Sequence, residues 1–152
     1  MHFTQDTFGQ QAEVKTYLYQ MLYSSVLKQS MSPSEIDVLV KNAQRSNQEA
    51  GITGMLMMDA GIVVQWLEGD KSVVRELWAK LQRDPRHECI VELMHREYQE
   101  TRLYPNWSMH LTTRQNMLAI VHQAREQHNY GIPNPWAPAI DKLCELLDND
   151  AA

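Results

Sequence analysis

The chain has 152 residues, 43% of them apolar and 22% charged, with a formal net charge of −5. That is the size and composition of about one globular domain with a real core. No apolar run nears the roughly 18 residues of a membrane helix, no signal peptide opens the chain, and the scattered basic residues offer no phosphate-binding cluster.

Residues 1–15 are polar and aperiodic and read as an N-terminal arm. From Thr16 the sequence turns rich in Tyr and Leu, and a strand is expected over 17–24. Its alternation puts Tyr17, Tyr19, Met21 and Tyr23 on one face and Leu18, Gln20 and Leu22 on the other. Residues 25–31 read as a loop. A helix then opens with full start signals: Ser32 as N-cap, Pro33 at the first helical position, and Glu35 completing a capping box. Met31 and Ile36 suit a hydrophobic staple. Ile36, Leu39, Val40 and Ala43 mark the buried stripe, Asn47 extends it, and Gly51 stops the helix.

The stretch from Gly51 to Gly69 organises the rest. Gly54 to Met58 and Ile62 to Leu67 are two apolar arms, and Asp59-Ala60-Gly61 carries the turn chemistry of a β-hairpin. Val63, Gln65 and Leu67 share one face, while Ile62, Val64 and Trp66 share the other. Neither face is polar, so both need cover. Gln65 is the anomaly, because a buried carboxamide left without partners costs roughly 1–3 kcal/mol. A side chain, a water or a ligand must meet it.

Asp70 can cap a second helix whose apolar face is Val73, Val74, Leu77, Trp78 and Leu81, with Asp84-Pro85 as its stop. Residues 88–97 alternate like a strand, and a last strand is expected from Trp107 to Leu111. Met117, Leu118, Val121 and Ala124 form an amphipathic helix. The segment HNYGIPNPWAP breaks it, and Ile140, Leu143, Cys144 and Leu147 form another. The expected fold is α+β: a ferredoxin-like βαββαββ sheet with two helices on one face and two C-terminal helices capping the other. The chain divides into the arm, a core domain over 16–112 and a helical cap over 113–152. Cys89 and Cys144 read as buried free thiols in a reducing cytosol, which makes the expected location cytoplasmic.

For chemistry, the six histidines show no metal-site spacing with further ligands at hand. No nucleophile elbow, P-loop or dinucleotide glycine fingerprint occurs, so an enzyme is not expected. Three polar residues stand on apolar faces: Tyr23, Asn47 and Gln65. Singly, each has a plain structural role as a satisfied hydroxyl, a helix cap or a bridge between strands.

Together they resemble a known family. The strings YQMLYSS, QRSNQEAGITGML, GIVVQWLEGD, RDPRH and YPNWSM, in that order across about 17–111, look like the BLUF domain, the blue-light sensors that use FAD. The resemblance implies a flavin ring between the two core helices, with FMN or riboflavin left open in place of FAD. It implies that Tyr23 and Gln65 are the photoactive pair and that Asn47 binds the flavin carbonyl. Asn42 and Ser46 fall on the same helix. Asp84, Arg86 and His87 would border the pyrimidine end and the ribityl chain, Lys80 stands where relatives often carry Arg, and Trp107 and Met109 match the pair on the last strand. Trp66 is turned by alternation toward the cap.

The implied function is a blue-light photoreceptor. The resemblance implies that proton-coupled electron transfer from Tyr23 via Gln65 would rearrange hydrogen bonds and signal through protein–protein contacts. A homo-oligomer and a separate effector protein are the expected partners, without nucleic acid or membrane. Two alternatives stand beside it. One is a flavin-free interaction module. The other is a small acylphosphatase-like enzyme, although SSVLKQSMS offers neither the glycine nor the arginine of a phosphate-cradling loop.

Overall fold

In a computed structural model of the chain, residues 16–106, 108–127 and 137–150 are described. The expected arm, Trp107 and most of the HNYGIPNPWAP break lie outside the described residues. The elements run β1 (Leu18–Leu27), α1 (Pro33–Ala50), β2 (Thr53–Asp59), β3 (Ile62–Gly69), α2 (Lys71–Gln82), β4 (His87–Gln99), β5 (Ser108–Leu111), α3 (Arg114–Gln127) and α4 (Ala137–Asp150). Among the described residues no helix is long and apolar enough to cross a membrane.

The strands form one sheet in the order β4-β1-β3-β2-β5, antiparallel except where β5 joins β2 in parallel. The first four strands keep the ferredoxin-like order, and β5 is added at the edge. The β2–β3 hairpin closes through Ala60 (φ 52°) and Gly61 (φ 79°), with Asp59 opposite Ile62. Positive φ at both central residues is the turn that matches the right-handed strand twist. The start and end of α1 behave as the sequence dictates. Ser32 and Glu35 form a reciprocal capping box, and Gly51 terminates the helix in the left-handed conformation.

Two expectations need correction. β1 does not stop at 24 but continues through Leu27, because Val26 pairs with Ile62 and Leu27 with His87. Partners on both sides hold a stretch whose Ser24-Ser25 text suggests a loop, so the loop begins only at Lys28. Cys89 is exposed, whereas Cys144 is buried. β4 spends 13 residues against the 10 of β1 and absorbs the difference at three register shifts. Cys89 (φ 51°) and Tyr98 (φ 59°) sit in two of them. A bulge turns its residue out of the alternation that sequence reasoning assumes.

Each face of the sheet has its own core. Tyr19, Met21, Tyr23, Val63 and Leu67 pack with Val40 of α1 and with Val74 and Trp78 of α2. Leu22, Val64, Trp66 and Met94 pack with Met117 and Val121 of α3 and with Ile140 and Leu147 of α4. The C-terminal helices therefore cover the face that the hairpin pattern left in need of cover.

Candidate functional site

The site grows from the two central strands. Tyr23 and Gln65 are direct cross-strand partners on β1 and β3, so both side chains rise from the same face. Their relative exposures are 2% and 5%. The Tyr23 hydroxyl donates to Gln65 Oε1, and Gln65 Nε2 donates to Met109 Sδ at 3.0 Å. The lone carboxamide of the hairpin is thus met by a phenol and a thioether. Burial, reinforced by the negative charge of Asp84, pushes the Tyr23 phenol far above its ordinary range. Trp78 of α2 packs a tilted ring against Tyr23 with centroids 5.2 Å apart.

Met109 reaches Gln65 because β5 is irregular. Gly54 pairs with Ser108 and Met55 with His110, so Met109 is the extra residue between them, at φ 149°. Gln44 of α1 fixes its carbonyl through Nε2 at 3.1 Å. The adjoining Gly54 admits no side chain, since a Cβ would stand 1.8 Å from the Trp66 carbonyl oxygen.

Above this pair, between α1 and α2, opens a cleft of about 310 Å³. Leu39 and Ala43 wall it on one side, Leu77 and Leu81 on the other, with Leu56, Met58 and Val63 on the sheet. Its polar groups are few: Asn42, Ser46 and Asn47 from α1, and Asp84, Arg86 and His87 from the α2–β4 turn. Asn47 is buried, and its backbone carbonyl accepts from Ile52 N at 2.8 Å where the residue lines the cleft.

At the turn, Arg86 Nε lies 3.0 and 3.1 Å from the two oxygens of Asp84. This hydrogen bond holds the Asp84 carboxyl at about 2. His87 Nδ1 lies 2.8 Å from Ser25 Oγ, and burial lowers its imidazole below the ordinary value of 6.5. Lys80 is not on this cleft. It lines a neighbouring one of about 210 Å³, shared with Ser46, Asn47 and Leu77. Among the described residues no group of three or more His, Cys, Asp or Glu is placed to hold a metal.

Three residues escape sequence reasoning. Ser25 falls in a stretch that reads as a loop, although it continues the alternation Tyr19, Met21, Tyr23. Trp78 reads only as core. Glu68 is 0% exposed yet carries a carboxylate on an apolar strand. It accepts from Gln20 Nε2 at 2.7 Å, Leu103 N at 2.8 Å and Tyr104 N at 2.7 Å. Arg102 completes the clasp by donating to Thr53 Oγ1, the Glu68 carbonyl and the Gly51 carbonyl at 2.8–3.1 Å. A carboxylate among β-branched and aromatic neighbours is the available signal.

A slot with apolar walls, a few carboxamides at its edge and a buried phenol–carboxamide pair at its floor suits a flat heteroaromatic ligand. The class so defined is a domain that binds a flat cofactor. The family model described as "Sensors of blue-light using FAD" matches residues 18–110, and the chain belongs to that family, the BLUF domains. Blue-light sensing through FAD is accordingly the role of this domain.

Photoactivated adenylate cyclase subunit beta of Euglena gracilis is 34% identical over 105 residues, covering 68% of this chain and 12% of that protein. The blue light- and temperature-regulated antirepressor BluF of Escherichia coli strain K12 is 31% identical over 74 residues, covering 49% and 18%. Among solved structures, BlrB, a BLUF protein in its dark state, superposes with a TM-score of 0.62 at 25% identity. That match covers 87% of this chain and 98% of BlrB. The chain thus spans only a small part of the curated relatives, whose cyclase and antirepressor names apply to them.

Proposed function

We propose that light reception in this domain runs through Tyr23 and Gln65, and that its output leaves through β5 and the C-terminal helices. The single observation that carries this is the buried relay Tyr23 hydroxyl–Gln65 carboxamide–Met109 sulfur at the floor of the cleft. Asn47, Asn42 and Ser46 on α1 and Asp84, Arg86 and His87 on the α2–β4 turn would hold the flavin. When bound and excited by blue light, a flavin supplies a one-electron oxidant.

The chain's own residues govern the response. Burial keeps the Tyr23 phenol protonated, so an electron leaves it together with its proton. That proton already points at Gln65 Oε1. A carboxamide has both donor and acceptor ends, so Gln65 can take the proton at oxygen, give it back to Tyr23 as the electron returns, and come to rest with its amide rotated. Rotation would move Nε2 away from Met109 Sδ. Met109 is the bulged residue of a four-residue strand, so this loss of contact would fall on a part of the sheet able to rearrange. β5 runs straight into α3, so a two-state shift of β5, α3 and α4 would remodel a surface read by a second copy or by an effector protein. This reading treats 16–112 as the sensing unit and 113–152 as its output cap.

The experiment is a visible absorption spectrum before and after a blue flash. Wild type is expected to show a small reversible red shift. Tyr23→Phe and Gln65→Leu are expected to keep the flavin and lose the shift. A full shift in either variant refutes the mechanism. Identical hydrogen exchange in light and dark across 105–148 would refute the output route.

A further inference from the structure

One buried hydroxyl near the cleft has no part in the relay. Ser25 is 2% exposed on β1, two residues beyond Tyr23 and on the same face, and its Oγ lies 2.8 Å from His87 Nδ1. Among the described residues that imidazole nitrogen is the hydroxyl's one hydrogen-bond partner. A serine hydroxyl and a neutral imidazole nitrogen can pair in two ways. If Nδ1–H donated, the serine proton would be stranded in a buried site, which is the costlier arrangement. If Ser25 donates, the hydroxyl is satisfied and Nδ1 is the unprotonated nitrogen.

The ring's single proton then sits on Nε2. The oxygen Asp84 Oδ2 stands 3.9 Å from Nε2, which favours a proton there but is too long for a hydrogen bond. His87 lines the cleft, which puts its imidazole within reach of the ligand space.

We infer that Ser25 is a positioning residue that locks His87 as the neutral Nε2–H tautomer, giving this end of the cleft a fixed donor for a carbonyl oxygen of the bound ligand. The ligand half of this inference rests on the flavin reading, and for a flavin the group met by His87 is a carbonyl of the ring and not its N–H. The surroundings keep the lock closed. The charged neighbours are Asp84 and Arg86 on the turn itself and Lys28 at the end of β1, whose N–H bonds to the Arg86 carbonyl. α1 faces the cleft with neutral Asn42, Ser46 and Asn47, and α2 with Leu77 and Leu81. A second proton on Nδ1 would cost the ring its serine donor, and burial, the larger influence, already favours the neutral form.

The test is a long-range proton–nitrogen NMR correlation on the full chain with labelled histidine, with and without added FAD. Wild-type His87 is expected to show an unprotonated Nδ1 and a protonated Nε2 in the absence of ligand. Ser25→Ala should move both nitrogen shifts toward a tautomer average and weaken FAD binding roughly 3- to 10-fold. Ser25→Thr, which keeps the hydroxyl, should restore both. A protonated Nδ1 in wild type, or unchanged nitrogen shifts in Ser25→Ala, overturns the lock. FAD that binds without moving the Nε2 shift overturns the contact alone, whereas no FAD uptake at all overturns the photoreceptor reading, because the tautomer is read without ligand.

Discussion

The two faces of the sheet are covered by helices in opposite ways. α1 and α2 stand apart over Tyr23 and Gln65 and leave a cleft, while α3 and α4 close over Trp66 and Leu22 with buried apolar side chains. β3 serves both faces with consecutive residues, since Gln65 points into the cleft and Trp66 into the closed core. A carboxamide is tolerated on one side because a phenol, a thioether and an open slot meet it. On the other side the close packing stabilises the sheet. The strand is thus anchored from below and free to change partners from above.

The strongest way to break that contrast is to empty the closed side. Trp66→Ala should cost about 3–5 kcal/mol, the range for deleting a large buried aromatic. Gln65→Leu should cost only about 1–2 kcal/mol, because it leaves the Tyr23 hydroxyl without its acceptor beside an open cleft. Urea unfolding of the flavin-free chain measures both, and equal losses would mean that the cleft face is as close-packed as the other.

Glu68 sharpens the comparison, because it is the charged exception on the closed side. Glu68→Ala strands two backbone N–H groups and leaves the Gln20 amide only its long bond to the Thr101 carbonyl, at about 2–4 kcal/mol in total. The same change should speed hydrogen exchange at Leu103 and Tyr104, whose amides the carboxylate holds. Unchanged exchange there would show that the segment leading to β5 is fixed by something else.

Acid should weaken the cleft side by a smaller amount. His87 has a folded value below the ordinary 6.5 and Asp84 one of about 2 against 3.8. Both values are lowered by folding, so the unfolded chain binds more protons and stability is lost as pH falls. The His87 contribution is complete above about 6.5 and declines below it. The Asp84 contribution declines between about 3.8 and 2. His87→Gln should shrink the upper part of an acid titration of stability and Asp84→Asn the lower part, to which Glu35, Asp70 and Glu97 also contribute. A titration in which neither variant alters its part would place the acid sensitivity elsewhere.

Much of this architecture is legible in the sequence because it is local. Ser32-Pro33-Glu35 fixes the start of α1, Ala60-Gly61 fixes the hairpin, and period-two alternation separates Gln65 from Trp66. The C-terminal helices can be assigned to the far face because Ile62, Val64 and Trp66 have to be buried by something. The illegible parts depend on distant pairing. β1 runs on through Ser25 only because β3 and β4 supply partners, and that extension is what brings Ser25 to His87. Cys89 is exposed because β4 carries extra residues that only its register against β1 reveals. Glu68 finds its donors 35, 36 and 48 residues away, separations no motif spacing encodes. Lys80 falls off the cleft because its position on α2 faces the neighbouring hollow, a matter of helix rotation.

The smallest effect belongs to the exposed end of the helix that bears Asn42, Ser46 and Asn47. Ser32 Oγ accepts from Glu35 N at 3.2 Å, and Glu35 Oε1 accepts from Ser32 N at 3.1 Å. The backbone N–H of Ser32 holds the Glu35 carboxyl below its usual value. Ser32→Ala removes one arm of this box and should cost about 1 kcal/mol, the usual loss for an N-cap in water. The cleft lines up with the middle and far end of α1, and fraying is confined to the first turn. Flavin affinity and the light-induced shift should therefore be unchanged in Ser32→Ala, while thermal unfolding falls by a few degrees. A change in either optical property would show that α1 moves as one rigid lever, so that the open face would owe its freedom to how the whole helix is seated rather than to the side chains lining the slot.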